Sequence, residues 1–305
     1  MTNIDGQGWR VEFDAEVEFR NGGSLSVEGF RLDSPSPELD DAATGELLVR
    51  HLGLLMVGTV RVANRRMIAE AHKGSRGVAT APVTGPRLIE LSHRVEHGMA
   101  TLPGVPGPEI GDYLTREASR GLYGPGTEFH IGTISMVTNT GTYVDSPAHR
   151  HEGQPDLAQL PLSSVADLEG LVIRVAGDGV RAVDKAALLP FDVVGRAVLI
   201  HTGWDAHWRT PAYFEGHPYV TADAAAWLVE QGAALVGIDS LNIDSTDDPL
   251  RPVHTALLGA GIPVVEHLRG LEQLPPSGFR FHAAPVPVVG LGTFPVRAYA
   301  VVEQG

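Results

Sequence analysis

The sequence predicts an α/β fold, a mixed sheet flanked by helices and preceded by a small α+β hairpin module. Three observations carry this. A strand pattern of period two and a tight turn open the chain, short apolar runs bounded by Gly, Asp or Pro recur through its later two thirds, and a helix-patterned segment spans Thr221 to Gln231. Strands and helices alternate only in part, which favours a mixed sheet over a regular doubly wound one.

Residues Trp9 to Arg20 place Val11, Phe13, Ala15, Val17 and Phe19 on one face and Arg10, Glu12, Asp14, Glu16 and Glu18 on the other. Asn21-Gly22-Gly23 supplies the positive-φ residues of a hairpin turn, and Leu25, Val27 and Leu32 continue on a partner strand, with Gly29 marking a bulge. Ser34 to Asp41 reads as a linker, Glu46 to Leu55 as a short helix and Met56 to Val62 as another strand. The aperiodic Gly, Pro, Ser and Thr-rich stretch that follows sets the domain organisation: an N-terminal module over 1–70, a connector over 71–86 and a larger domain over 87–305. In the larger domain, strands are expected at Leu171 to Val175, Ala197 to His201, Leu235 to Ile238, Pro263 to Val265 and Ala298 to Val302. In the expected helix Thr221 caps, Ala224, Trp227 and Leu228 form the apolar face, and Gly232 stops it.

Composition narrows the function classes. The chain has 305 residues, enough for two domains, with 43% hydrophobic and 20% charged residues, so it is neither disordered nor fibrous. Its formal charge of −14 repels phosphate backbones and anionic lipid, which argues against nucleic-acid and membrane partners. There is no cysteine, so disulfides, thiolate nucleophiles and Cys-based metal sites are excluded, and any metal must use His, Asp and Glu. Met1 to Arg10 lacks the pattern of a secretory signal, and no apolar run reaches about 18 residues, so a cytoplasmic protein is expected. The basic cluster Arg61, Arg65, Arg66, Lys73 and Arg76 reads as a solvated face or a docking surface.

The densest polar cluster is Asn139-Thr140-Gly141-Thr142-Tyr143-Val144-Asp145-Ser146-Pro147-Ala148-His149, in which Gly and Pro bracket groups able to bind metal or move protons. Read alone, an Asx or Ser turn with a surface His explains it equally well. The segment resembles the signature of the cyclase family of metal-dependent hydrolases, typified by bacterial kynurenine formamidase and isatin hydrolase, His-x-Gly-Thr-His-x-Asp-x-Pro-x-His. Gly141, Thr142, Asp145, Pro147 and His149 match in register. The likeness extends to Leu91-Ser92-His93 with Met99 and Pro103-Gly104, to Thr202-Gly203-Trp204, Gly237-Ile238-Asp239 with Asp244, His254 with Glu266, and Pro295-Val296-Arg297-Ala298, covering roughly Leu88 to Val302. It implies a swivelling β/β/α-type domain, a small-molecule substrate, usually a homo-oligomer, and hydrolysis of an amide, lactam or related carbonyl compound.

The chain departs from that signature at the first two histidines, both metal ligands in the family, which are Asn139 and Tyr143 here. The resemblance leaves Asp145, His254 and Glu266 as metal ligands and His149 as the acid/base group. Those three suffice for one Zn²⁺ or Mn²⁺ with an open position for water, whereas a binuclear site is not expected. A metal-free pocket, in which Tyr143 donates a hydrogen bond to a substrate oxygen while His149, with Glu266 as a second candidate, exchanges the proton, fits as well. Metal-independent ring closure, dehydration or isomerisation, and a non-catalytic binding protein on the same scaffold, are the alternative functions. Taken singly, His254 also fits a helix start and Glu266 a strand end, while Asp239 and Asp244 suit capping. Asn139, Trp204, Arg150 and His130 are expected to line the pocket, Trp204 and Trp208 as an aromatic wall for which core packing is the competing reading. His151, His201, His207, His217 and His267 read as surface or packing residues.

Overall fold

The structure, a computed structural model, describes residues 7–34, 36–71, 85–177, 179 and 181–303. The chain divides into two compact units: Met1–Gly85 joined by Leu188–Asp192, and Pro86–Ala187 with Val193–Glu303.

In the first unit β1 (Gln7–Phe19) lies between β2 (Ser24–Ser34) and β3 (Val57–Ala71), antiparallel to both. The period-two face is buried: Val11, Phe13, Ala15, Val17 and Phe19 pack with Leu48 of helix α1 (Asp41–Leu52) and with Phe191 from the 188–192 segment. The bulge falls between Phe13 and Ala15, where Gly29, at φ 58°, donates its N–H to Asp14 Oδ1 at 2.7 Å. The helix begins earlier than the expected Glu46, because Asp40 caps it by accepting from Ala43 N at 2.7 Å, and Gly53 ends it at φ 64°. The third strand outruns the expected Val62, since β1 offers it pairing partners as far as Ala71. Arg61, Arg65 and Arg66 pair with Glu18, Asp41 and Glu12 of their own unit. Lys73, Arg76 and most of the expected connector lie outside the described residues.

The second unit runs β4 (Arg87–Glu90), β5 (Glu109–Leu114), α2 (Arg116–Ser119), β6 (Ile131–Ser135), β7 (Tyr143–Asp145), β8 (Leu168–Arg174), β9 (Ala182–Val183), α3 (Lys185–Leu188), β10 (Ala197–His201), β11 (Tyr219–Val220) and α4 (Ala222–Gln231). It continues through β12 (Leu235–Ile238), α5 (Pro252–Gly259), β13 (Val264–Glu266), β14 (Ser277–His282), β15 (Thr293–Pro295) and β16 (Tyr299–Val302). Nine strands form one mixed sheet in the order β15-β7-β13-β12-β10-β8-β14-β16-β4. Its centre, β13-β12-β10-β8, is parallel, and the strands outside are antiparallel. The parallel strands are buried on both faces, which is why they read as continuous apolar runs. Helix α4 follows its pattern, with Ala224, Trp227 and Leu228 buried and Gly232 left-handed at its end; the Thr221 hydroxyl bonds to Val183 O and Asp223 instead of capping.

Close approach across β8 and β14 depends on a glycine, because a Cβ on Gly170 would stand 2.0 Å from the Phe279 ring. Gly170→Ala is expected to destabilise the second unit by about 1–3 kcal/mol through overpacking, measured as a lowered urea midpoint.

Candidate active site

Three short strands at one edge of the sheet build the site by register. Tyr143 pairs with Glu266 across β7 and β13, and Asp145 pairs with Thr293 across β7 and β15. Directly opposed residues share a face, so these four side chains emerge together, while the intervening Val144 and Val265 join the hydrophobic core behind. The loop after β12 carries Asp244, and the first turn of α5 carries His254, behind Pro252. His149 ends a single 3-10 turn that begins at Pro147. That turn is pressed against Gly292, where an added Cβ would lie 2.5 Å from His149 N and Cα.

The ligating atoms converge. His254 Nε2 stands 3.5 Å from Asp145 Oδ2 and 3.6 Å from Glu266 Oε1. Both separations are too long for good hydrogen bonds and leave His254 Nε2 facing two carboxylate oxygens without a close bond to either. Asp145 Oδ2 is buried without a hydrogen-bond partner among the described residues. The other imidazole nitrogen, Nδ1, is bonded to Asp244 Oδ2 at 2.6 Å, and the same carboxylate accepts from Val253 N and His254 N. Asp244 therefore caps the helix and aims the ring at once. Among the described residues, the group whose ligating atoms all lie within 4.8 Å of one another is Asp145, His149 and His254; Glu266 approaches it through His254 alone.

Asp145, Asp244 and Glu266 are all buried, so the site concentrates negative charge in a poorly solvated place. Burial works against a charged His254, but Glu266, Asp145 and Asp244 outweigh it and hold the imidazole well above its ordinary value. Burial pushes the Glu266 carboxyl up, opposed by His254. The residues present fit a divalent cation: an orphaned carboxylate oxygen, an imidazole whose tautomer a second carboxylate orients, and a further carboxylate oxygen nearby.

Tyr143 is 1% exposed and donates its hydroxyl to Glu266 Oε2 at 2.6 Å. Burial, followed by the charges of Glu266 and Asp145, raises its pKa well above the usual phenol value, and only a hydrogen bond from Asn139 opposes this. Behind it, His267 Nε2 lies 3.3 Å from the Tyr143 oxygen and Nδ1 2.9 Å from the Tyr213 hydroxyl. His267 is fully buried with φ 55°, a left-handed conformation that turns its ring under Tyr143.

The other residues expected to line the pocket have the following partners. Arg150 Nε bonds to the Thr255 hydroxyl at 3.1 Å, and His130, beside β6, pairs with Asp112 at 2.6 Å. Trp204 donates Nε1 to Tyr213 O and lies against His207. Trp208 stacks on His93 with ring centres 3.9 Å apart and meets both Tyr213 and His267 edge-on. Asp239 accepts from Thr202 N, the Thr202 hydroxyl and Gly203 N, shaping the turn before Trp204; burial pushes its carboxyl up to about 7 against those bonds. Sequence reasoning missed Thr293, Tyr213 and the clamping role of Asp244. The spacing of Asp244 ahead of His254 was the available signal for the last; nothing local marked the other two.

The sequence profile of a family described as putative cyclase matches residues 89–245. Kynurenine formamidase of Geobacillus thermodenitrificans is 30% identical over 170 residues, spanning 55% of this chain and 78% of the relative. That of Salinibacter ruber is 30% identical over 180 residues with the same coverage. Among solved structures, isatin hydrolase A from Ralstonia solanacearum superposes with a TM-score of 0.61 at 25% identity, covering 72% of this chain and 92% of that one. Isatin hydrolase A from Labrenzia aggregata gives 0.62 at 22% identity over 72% and 94%, a likeness of fold.

Burial, with the charge of Arg269 adding to it, holds His93 down to about 3. Its folded pKa lies below the unfolded value of about 6.5, so its stabilising contribution is complete above that pH and declines as pH falls toward 3. The ¹⁵N shifts of His93 are expected to stay those of a neutral ring from pH 8 to pH 5, and a titration midpoint near 6.5 contradicts this.

Proposed function

The chain belongs to the cyclase family, and on that premise we propose that it hydrolyses an amide, lactam or related carbonyl compound with the help of one divalent cation, zinc or manganese. The observation that carries this is the buried, partnerless Asp145 Oδ2 facing a clamped His254 Nε2 at 3.5 Å, with Glu266 Oε1 at 3.6 Å from the same nitrogen. Asp145, His254 and Glu266 would hold the ion. When bound, such an ion lowers the pKa of water and polarises a carbonyl.

The chain's own groups supply the rest. His149, with a third of its side chain exposed, borders the cluster and is the group able to meet both protein and substrate. It accepts a proton from the attacking water as the oxygen bonds to the carbonyl carbon and the C=O electron pair moves onto oxygen. When that pair returns and the C–N bond breaks, the same proton passes to the leaving nitrogen. Tyr143 spends its hydrogen on Glu266, so we assign it to holding that carboxylate instead of to the substrate oxygen. The phenol and Asn139 stand where the family signature has two histidines, which supports one metal position instead of two.

Protein purified without chelator is expected to carry about one equivalent of zinc or manganese and to hydrolyse members of a panel of N-formyl anilines, lactams and lactones. Full activity in metal-free protein would sink the reading. His149→Ala is expected to lower kcat at least about 100-fold with the metal retained. Asp244→Ala is expected to weaken metal affinity about 10–100-fold, measured by competition with a chromophoric chelator.

A further inference from the structure

Thr293 opens β15 directly opposite Asp145 and is 2% exposed. Its hydroxyl contacts two groups at once, Asp145 Oδ1 and His149 Nδ1, the latter at 2.7 Å. The threonine hydroxyl has a single hydrogen to give. A carboxylate oxygen only accepts, so that hydrogen goes to Asp145 Oδ1. The threonine oxygen then faces His149 Nδ1 with lone pairs alone, and the contact is a hydrogen bond only if Nδ1 carries the proton. The reverse assignment would set the Thr293 oxygen against the carboxylate with no hydrogen between them, a buried repulsion.

We propose that Thr293 is a positioning residue that sets the tautomer of His149. The chain of donors runs from His149 Nδ1–H to the Thr293 oxygen and from the Thr293 hydroxyl to Asp145 Oδ1. It leaves Nε2 as the nitrogen with a free lone pair, the atom available to take a proton from water. It also ties down one oxygen of Asp145, so that the carboxylate turns its other, partnerless oxygen toward His254. One hydroxyl thus couples the orientation of the acid/base group to that of a ligand carboxylate. Gly292 makes the reach possible, because only a residue without a Cβ lets the strand pass so near the His149 backbone, and Gly292 O accepts from Ser146 N at 2.7 Å in the same approach. The catalytic meaning of this rests on the proposed hydrolase reading; the tautomer itself does not.

The test compares wild type, Thr293→Val and Thr293→Ser, metal-free and zinc-loaded, by long-range ¹H–¹⁵N spectra at pH 8.5, with His149→Gln used to assign the ring. Wild type and Thr293→Ser are expected to show His149 protonated at Nδ1 and bare at Nε2, and Thr293→Val to shift toward the Nε2–H form. Where a substrate is turned over, Thr293→Val is expected to lose about 10-fold or more in kcat with KM changed less than about threefold, and Thr293→Ser to recover most of it. A wild-type His149 protonated at Nε2 overturns the proposal, as does Thr293→Val keeping the Nδ1–H form. A Thr293→Ser protein that resembles Thr293→Val in its spectrum overturns it too. If Thr293→Val does not fold, the wild-type and serine spectra decide alone. If no amide or lactam is hydrolysed, the hydrolase reading fails while the tautomer result stands.

Discussion

The pairing register of three short strands is the constraint on which the site depends. With Tyr143 opposite Glu266 and Asp145 opposite Thr293, four polar side chains are delivered to one face of the sheet edge without any loop having to be ordered for the purpose. A slip of one residue would send Val144 into the site and Asp145 into the core, so the apolar demand behind the sheet enforces the polar arrangement in front of it. Precision of this kind suits chemistry, because strands hold side chains more tightly than loops do.

Charge is the second constraint. Removing carboxylates from water costs several kcal/mol each unless cations or hydrogen bonds compensate. Here Asp145, Asp244 and Glu266 are withdrawn around a single imidazole. The compensation is unequal: Asp244 gains two backbone N–H donors and the His254 ring, and Glu266 gains Ile243 N and the Tyr143 hydroxyl. Asp145 Oδ2 gains no hydrogen-bond partner among the described residues. This arrangement satisfies every carboxylate oxygen of the three but one and points that one at a ring nitrogen, the place the proposed cation would complete. The phenol of Tyr143 contributes by engaging the second oxygen of Glu266.

Much of the fold was legible because burial writes itself into sequence periodicity. The strands at Ala197 to His201 and Leu235 to Ile238, and the helix ending at Gly232, lie where apolar runs and capping residues put them. The start of α1 was less legible: Asp40 sits in a stretch whose prolines and acids suit a linker and a cap equally. In the site, the dual readings of His254 and Glu266 proved compatible with convergence. His254 does open a helix and Glu266 does end a strand, and those positions are what bring the two to within 3.6 Å. His267 read as packing because no neighbour in sequence explains it; its partners, Tyr143 and Tyr213, are 124 and 54 residues away.

The sequence by itself determined the period-two opening strand, the buried central strands, the helix that ends at Gly232 and the chemical inventory, including the lack of cysteine, the signature around Asp145 and the replacement of two histidines by Asn139 and Tyr143. Local periodicity and residue type are one-dimensional properties and can be read without folding the chain. Only the tertiary structure decided which polar groups share hydrogens: that Asp244 orients His254, that the Tyr143 hydroxyl donates a hydrogen bond to Glu266, and that Thr293 stands between Asp145 and His149. Those pairings depend on strand register and helix placement between segments roughly 10 to 150 residues apart, a distance over which side-chain type alone carries no directional information.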